Sequence, residues 1–104
     1  MSEDELEAAV RRILKDLGLQ LAYHPWKLHA RRAKDGWPDW AIVGPGGLVF
    51  RELKTQRGRV TAAQQAWLDA LTAAGQDAAV WRPEHLLSGQ VARELAVVAG
   101  IGAP

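Results

Sequence analysis

From Asp39 to Trp81 the chain changes its hydrophobic period twice, and that order constrains its fold more than any other feature. Residues 39–43 and 48–54 read as two short strands on either side of Gly44-Pro45-Gly46-Gly47, the pattern of a hairpin closed by a tight turn. Thr61, with Gln64 three residues on, forms a capping box. Ala63, Ala66, Trp67, Ala70, Leu71 and Ala74 then recur at helical spacing, and Gly75 closes that helix. Residues 78–81 read as another strand. Strand, crossover helix and strand make a βαβ unit, so the strands at 48–54 and 78–81 are expected to run parallel with a right-handed connection.

The flanks complete the pattern. Ser2 and Glu5 give a second capping box ahead of Leu6, Val10, Ile13, Leu14 and Leu17, which predicts a helix over 3–17 ending at Gly18. Residues 19–23 alternate as a strand. The stretch 24–38 holds His24, Pro25, His29 and Gly36 and reads as a loop, a long one for a chain of 104 residues. Pro83 suits the first turn of a helix, and Leu86, Leu87 and Val91 to Val98 read as short, ill-defined helix. The expected order is α-β-β-β-α-β-α. It implies an α/β fold in which a small mixed sheet is flanked by helices, within one domain spanning 1–104. The chain has no cysteine, which excludes disulfides, a thiolate zinc site and a thiol nucleophile. No apolar run approaches membrane-spanning length, and the acidic start Met-Ser-Glu-Asp-Glu lacks the pattern of a signal peptide. A soluble, cytoplasmic protein is the expectation.

Net charge is only +1, yet the charges are unevenly placed. Lys27, Arg31, Arg32, Lys34, Arg51, Lys54, Arg57 and Arg59 cluster between positions 24 and 59, opposed there only by Asp35, Asp39 and Glu52. A polyanion facing this side of the molecule would account for the asymmetry, as would a solvated loop.

Within that region Asp39 opens one strand, and Glu52 and Lys54 lie two apart on the next. Residues two apart in a strand share a face, so Glu52 and Lys54 point one way while Val49, Arg51 and Leu53 point the other. Counting outward from the turn brings Asp39 beside Glu52. Two carboxylates and a backbone carbonyl are hard oxygen ligands suited to Mg²⁺, which keeps several of its waters. Such an ion polarises a phosphoryl oxygen and acidifies an attacking water. A neighbouring ammonium can orient that water or offset developing negative charge. The rival reading of the same residues is an exposed cross-strand salt bridge, worth about 0–1 kcal/mol.

The stretch GWPDWAIVGPGGLVFRELKTQRGRVTAAQQAWLDALTAAGQDAAVWRP resembles the VRR-NUC domain, a branch of the PD-(D/E)xK, restriction-endonuclease-like nuclease superfamily. The likeness extends upstream through YHPWKLHARRAKDGWPD and SEDELEAAVRRIL, covering about residues 2–83, and is strongest to small stand-alone phage and bacterial members. The family's PD motif falls on Pro38-Asp39, its ExK on Glu52-Leu53-Lys54 and its helix glutamine on Gln64. A glutamate of its first helix falls on Glu3, with Glu7 the alternative register. The resemblance implies a restriction-endonuclease-like α-β-β-β-α-β core. It implies Asp39, Glu52 and the Leu53 carbonyl as ligands of Mg²⁺, with Mn²⁺ able to substitute, and Lys54 as the cation that positions water. Gln64 would line the site, although its capping role is sufficient reason for its presence. The residues Pro25-Trp26-Lys27-Leu28-His29 depart from the family pattern, which often has a polar or acidic residue there.

The expected activity is metal-dependent endonucleolytic cleavage of DNA, selective for branched structures such as four-way (Holliday) junctions. Arg31, Arg32, Lys34, Arg57 and Arg59 are the expected phosphate contacts. Two-fold junction symmetry implies a homodimer. Neither a membrane nor a small-molecule cofactor is expected. The rival is a binding module that keeps the nuclease fold and no longer cuts. Trp40 and Trp67 are expected in the core and Trp37 in packing. His24 and His29 lack a third ligand for zinc.

Overall fold

The computed structural model describes residues 1–23 and 35–101. Its elements follow the order α1 (Glu3–Asp16), β1 (Ala22–Tyr23), β2 (Trp40–Gly44), β3 (Gly47–Leu53), α2 (Ala62–Ala73), β4 (Asp77–Trp81), α3 (Pro83–Leu87) and α4 (Gln90–Val98). Both capping boxes form. Ser2 Oγ accepts from the Glu5 amide while Glu5 accepts from the Ser2 amide, and Thr61 and Gln64 repeat the exchange at α2. Each satisfies two amides that a helix start leaves unpaired.

The sheet has four strands in the order β1-β2-β3-β4. The hairpin is antiparallel, with Trp40 opposite Arg51 and Gly44 opposite Gly47, and β3 pairs parallel to β4 with Leu53 opposite Trp81. The small mixed sheet with its parallel pair and flanking helices is the α/β architecture expected from the sequence. The first strand is shorter than expected. Among the described residues Ala22 and Tyr23 pair in register with β2, the Leu21 carbonyl accepts from the Val43 amide at 3.0 Å, and Leu19 packs in the core.

Alternation along β3 divides the molecule into two faces. Val49, Arg51 and Leu53 are buried toward α1 and α4, among Leu6, Val10, Leu14, Trp40, Ile42, Trp81, Val91, Leu95 and Val98. Residues 84–101, which carry no recognisable motif, therefore supply a wall of the core. Phe50 and Glu52 face the side of α2, where Trp37 stacks edge-on against both Phe50 and Trp67 at centroid distances of 5.8 and 4.9 Å. Trp81, which the sequence left unplaced, is wholly buried.

The stripe expected to bury α2 is rotated. Leu68 is the buried residue, Trp67 and Leu71 are half-buried, and Ala63, Ala66, Ala70 and Ala74 are exposed. The inward face is 64-67-68-71, a rotation of about one residue (roughly 100°) that lets Gln64 reach the sheet. Arg51, counted among the polyanion-facing charges, is 2% exposed and turned into the protein. Its guanidinium donates to Glu94 Oε1 at 2.8 Å and lies 2.9 Å from Asp77 Oδ1, an internal ion pair.

Candidate active site

Asp39 immediately precedes β2, and Glu52 and Lys54 stand at the far end of β3 from the turn. Extending the Trp40–Arg51 register by one step sets Asp39 across from Glu52. The Asp39 carboxylate is locked there: its Oδ2 accepts from the Leu53 amide at 2.8 Å. The Lys54 amide is bonded to the Trp81 carbonyl on β4 at 3.0 Å. Amide and carbonyl of one strand residue point to the same edge. The Leu53 carbonyl therefore faces the Asp39 side along with its amide.

Glu52 is 3% exposed. Its Oε2 accepts from Gln64 Nε2 at 2.9 Å and lies 3.9 Å from Lys54 Nζ. Its Oε1 is buried with no hydrogen-bond donor among the described residues. Burial first, and then the adjacent Asp39 charge and the hydrogen bond to Asp39, push the Glu52 carboxyl up to about 8, with Lys54 pulling the other way. Two carboxylates confined together with one oxygen left bare form a donor set that a cation would satisfy. Hard anionic oxygens suit Mg²⁺ or Mn²⁺, so the residues fit the ion that the motif implies. Among the described residues no group of three or more His, Cys, Asp or Glu side chains gathers as a metal site. A cation here would depend on two carboxylates, the Leu53 carbonyl and exchangeable oxygens.

Gln64 has both of the roles that the sequence left open. Its Oε1 accepts from the Thr61 amide to close the capping box, and its Nε2 donates to Glu52. The helix start is thereby tied to the site. Gly36 brings the segment before Asp39 against the same helix start. It sits at φ +85°, and a Cβ there would overlap the Ala63 carbonyl and come within 2.6 Å of the Gln64 amide nitrogen. Only glycine allows that approach.

Glu3 is exposed in the first turn of α1, with no hydrogen bond or ion pair joining it to the cluster among the described residues. Glu7 is half-buried and paired with Arg11 at 3.2 Å. The Arg11 guanidinium lies 5.0 Å from the Trp40 ring, which is core as expected. Trp67 departs from expectation by standing only half-buried, its Nε1 donating to the Asp35 carbonyl at 2.9 Å. Arg57 and Arg59 are exposed in the loop between β3 and α2. Arg31, Arg32 and Lys34, with His24, Trp26 and His29, lie outside the described residues. The sequence did not mark Arg82, whose guanidinium grips the loop that carries Arg57. It had no signal, because its partners are backbone carbonyls.

No family model matches the chain, and no curated protein does. Among solved structures it is similar to a protein titled "VRR_NUC domain protein", at a TM-score of 0.67 and 19% identity, over 93% of this chain and 90% of that one. A likeness at that identity establishes the backbone arrangement, and it joins the PD and ExK motifs on adjacent strands to the resemblance read from them. The chain has the fold of that VRR_NUC domain protein, a mixed α/β fold.

Proposed function

We propose that the protein is a metal-dependent DNA endonuclease that hydrolyses phosphodiester bonds and selects branched substrates. The single observation that carries this reading is the buried Glu52 carboxylate set against the half-buried Asp39, with one Glu52 oxygen lacking a donor among the described residues and Lys54 beside the other. Such a pair is costly to maintain for packing alone. Asp39, Glu52 and the Leu53 carbonyl would hold Mg²⁺, which supplies Lewis-acid polarisation of the phosphate and a more acidic water. Lys54 offsets negative charge and orients the water, and Gln64 fixes the Glu52 carboxylate through its Oε2. Arg57 and Arg59 contact phosphates irrespective of base sequence.

Branched DNA is favoured because no described element offers a base-reading helix, so selection falls to substrate shape. A four-way junction needs two symmetric cuts, and the described residues hold one such cluster, so the working form would be a homodimer.

The test is a panel of linear, flap, splayed and four-way DNA incubated with and without Mg²⁺. Wild type should cut a branched substrate only with the ion, and Asp39→Ala should lose at least about 10³-fold in rate, on the scale of a lost group that the transition state depends on. Binding by wild type with no cleavage under either Mg²⁺ or Mn²⁺ would establish the binding-module alternative instead.

A further inference from the structure

The loop between Lys54 and Thr61 links the ExK strand to the glutamine helix and bears Arg57 and Arg59. It has few apolar anchors, yet it is fastened from outside. Arg82 Nη1 donates to the Thr55 carbonyl at 2.7 Å, the Gly58 carbonyl at 2.8 Å and the Gln56 carbonyl at 3.3 Å. Gln56 Oε1 in turn accepts from the Glu84 amide at the start of α3, at 3.1 Å. Inside the loop the Gly58 amide bonds the Thr55 carbonyl, and a Cβ on Gly58 would lie 2.7 Å from Thr55 Oγ1. Arg82 itself is half-buried at the β4–α3 junction, its amide donating to His85 Nδ1 at 2.8 Å. By contrast, Arg57 and Arg59 are exposed and make no hydrogen bond or ion pair among the described residues.

One arginine is thus spent on holding carbonyls so that two others stand free. A guanidinium is a rigid fork of donors that stays charged at any working pH, which suits it to fixing a backbone turn. We infer that Arg82 is a positioning residue: by gathering the carbonyls of Thr55, Gln56 and Gly58 it holds the loop in the shape that presents Arg57 and Arg59 to the phosphates of one DNA strand. The inference rests on the nuclease reading above and extends it from the cleavage residues to how the substrate strand is held. Ordering the loop beforehand spares the entropy that an unrestrained loop loses on binding.

The test pairs a measurement without DNA with one that uses it. Hydrogen exchange at the amides of 55–60 is compared in wild type, Arg82→Ala and Arg82→Lys. DNA affinity is measured with Ca²⁺ in place of Mg²⁺, across a salt series, for the same proteins and for Arg57→Ala/Arg59→Ala with and without Arg82→Ala. Loss of loop protection in Arg82→Ala is expected, with DNA affinity about tenfold weaker and a salt slope shallower by about one to two, the share of two phosphate contacts. Steady-state cleavage should show KM raised more than kcat is lowered. Lysine keeps three donors on one charge and should restore part of both effects. Arg82→Ala should add little in the background lacking Arg57 and Arg59, since residues acting as one unit are not additive.

Unchanged loop protection overturns the inference, and so does a fully additive loss, which would mean that Arg82 touches DNA itself. In either case a wild type that still cuts leaves the nuclease reading standing. A wild type that neither binds nor cuts DNA brings both down together.

Discussion

Glu52 is where stability and chemistry conflict at the scale of one residue. Burial and the neighbouring Asp39 raise its carboxyl to about 8 in the metal-free protein, against an ordinary value of 4.5. The folded state therefore holds a proton that the unfolded chain releases earlier. Stability is greatest below about pH 4.5 as far as this group is concerned, and it falls as pH rises toward 8. Replacing Glu52 by Gln removes the penalty, because the amide never ionises. The melting temperature of Glu52→Gln should exceed that of wild type by about 5–10 °C at pH 8.5 and differ little at pH 5. Thermal unfolding at the two pH values, in chelator, checks this. A lower melting temperature for the variant at pH 8.5 would show that the carboxylate is comfortably ionised without metal. Mg²⁺ held at the proposed site would compete with the same proton, so its affinity by calorimetry should rise from pH 6 to pH 8 with proton release on binding. The sequence made Glu52 and Lys54 legible as partners on one face, because a strand alternates. It could not show that one Glu52 oxygen is bonded and the other bare. That depends on Gln64 arriving from another element.

At the scale of elements the site is a junction between the open end of the hairpin and the first turn of α2. Gly36 makes the junction possible, since its positive φ and missing Cβ let the chain pass against the Ala63 carbonyl. Gly36→Ala should cost about 1–3 kcal/mol, as backbone strain of this kind does. Because the displaced segment leads directly to Asp39, Mg²⁺ affinity should fall along with the melting temperature. Thr61→Ala should cost only about 1 kcal/mol by removing the cap, and leave Gln64 free to keep its bond to Glu52. The two variants thus separate helix stability from site geometry, with Mg²⁺ titration as the readout. The capped start of α2 was readable from Thr61 and Gln64 alone. The phase of its buried face was not: alanine is tolerated inside or outside a helix interface, so Ala63, Ala66 and Ala70 carried no directional information. They now line a shallow apolar groove of about 400 Å³ with Asp35 and Trp67.

Across the whole molecule, the two faces of the sheet divide the labour. One bears the carboxylate cluster, and the other bears the core and a polar network that ties β3, β4 and α4 together. Glu94 accepts from Arg51, from Trp81 Nε1 at 3.0 Å and from Gln90 Nε2 at 2.7 Å. Burial alone would raise its carboxyl, but these donors, Arg51 foremost, outweigh burial and hold it below the ordinary value. Its contribution is present above the unfolded-state value and fades as pH falls through the lowered one. Glu94→Ala leaves Arg51 buried with Asp77 as its remaining acid. The expected loss is about 2–4 kcal/mol, toward the lower end for broken buried pairs. Chemical denaturation checks this, and a loss under about 0.5 kcal/mol would show that Asp77 suffices. Since β3 carries Arg51 on one face and Glu52 on the other, loosening this network should also weaken Mg²⁺ binding across the sheet.

The order of elements as far as β4, both capping boxes, the hairpin turn and the placing of Asp39, Glu52 and Lys54 at one end of it were determined by the sequence alone, whereas the single helix expected after β4 is two, α3 and α4. They depend on local conformational preference and on the period of two or 3.6 residues, which act within a few positions along the chain. What Arg51 pairs with, which face of α2 turns inward, what residues 84–101 are for and which arginine holds the loop of Arg57 were decided only by tertiary structure. Each of these depends on partners dozens of residues away, and a charge or an alanine has no period that announces which of them it will meet.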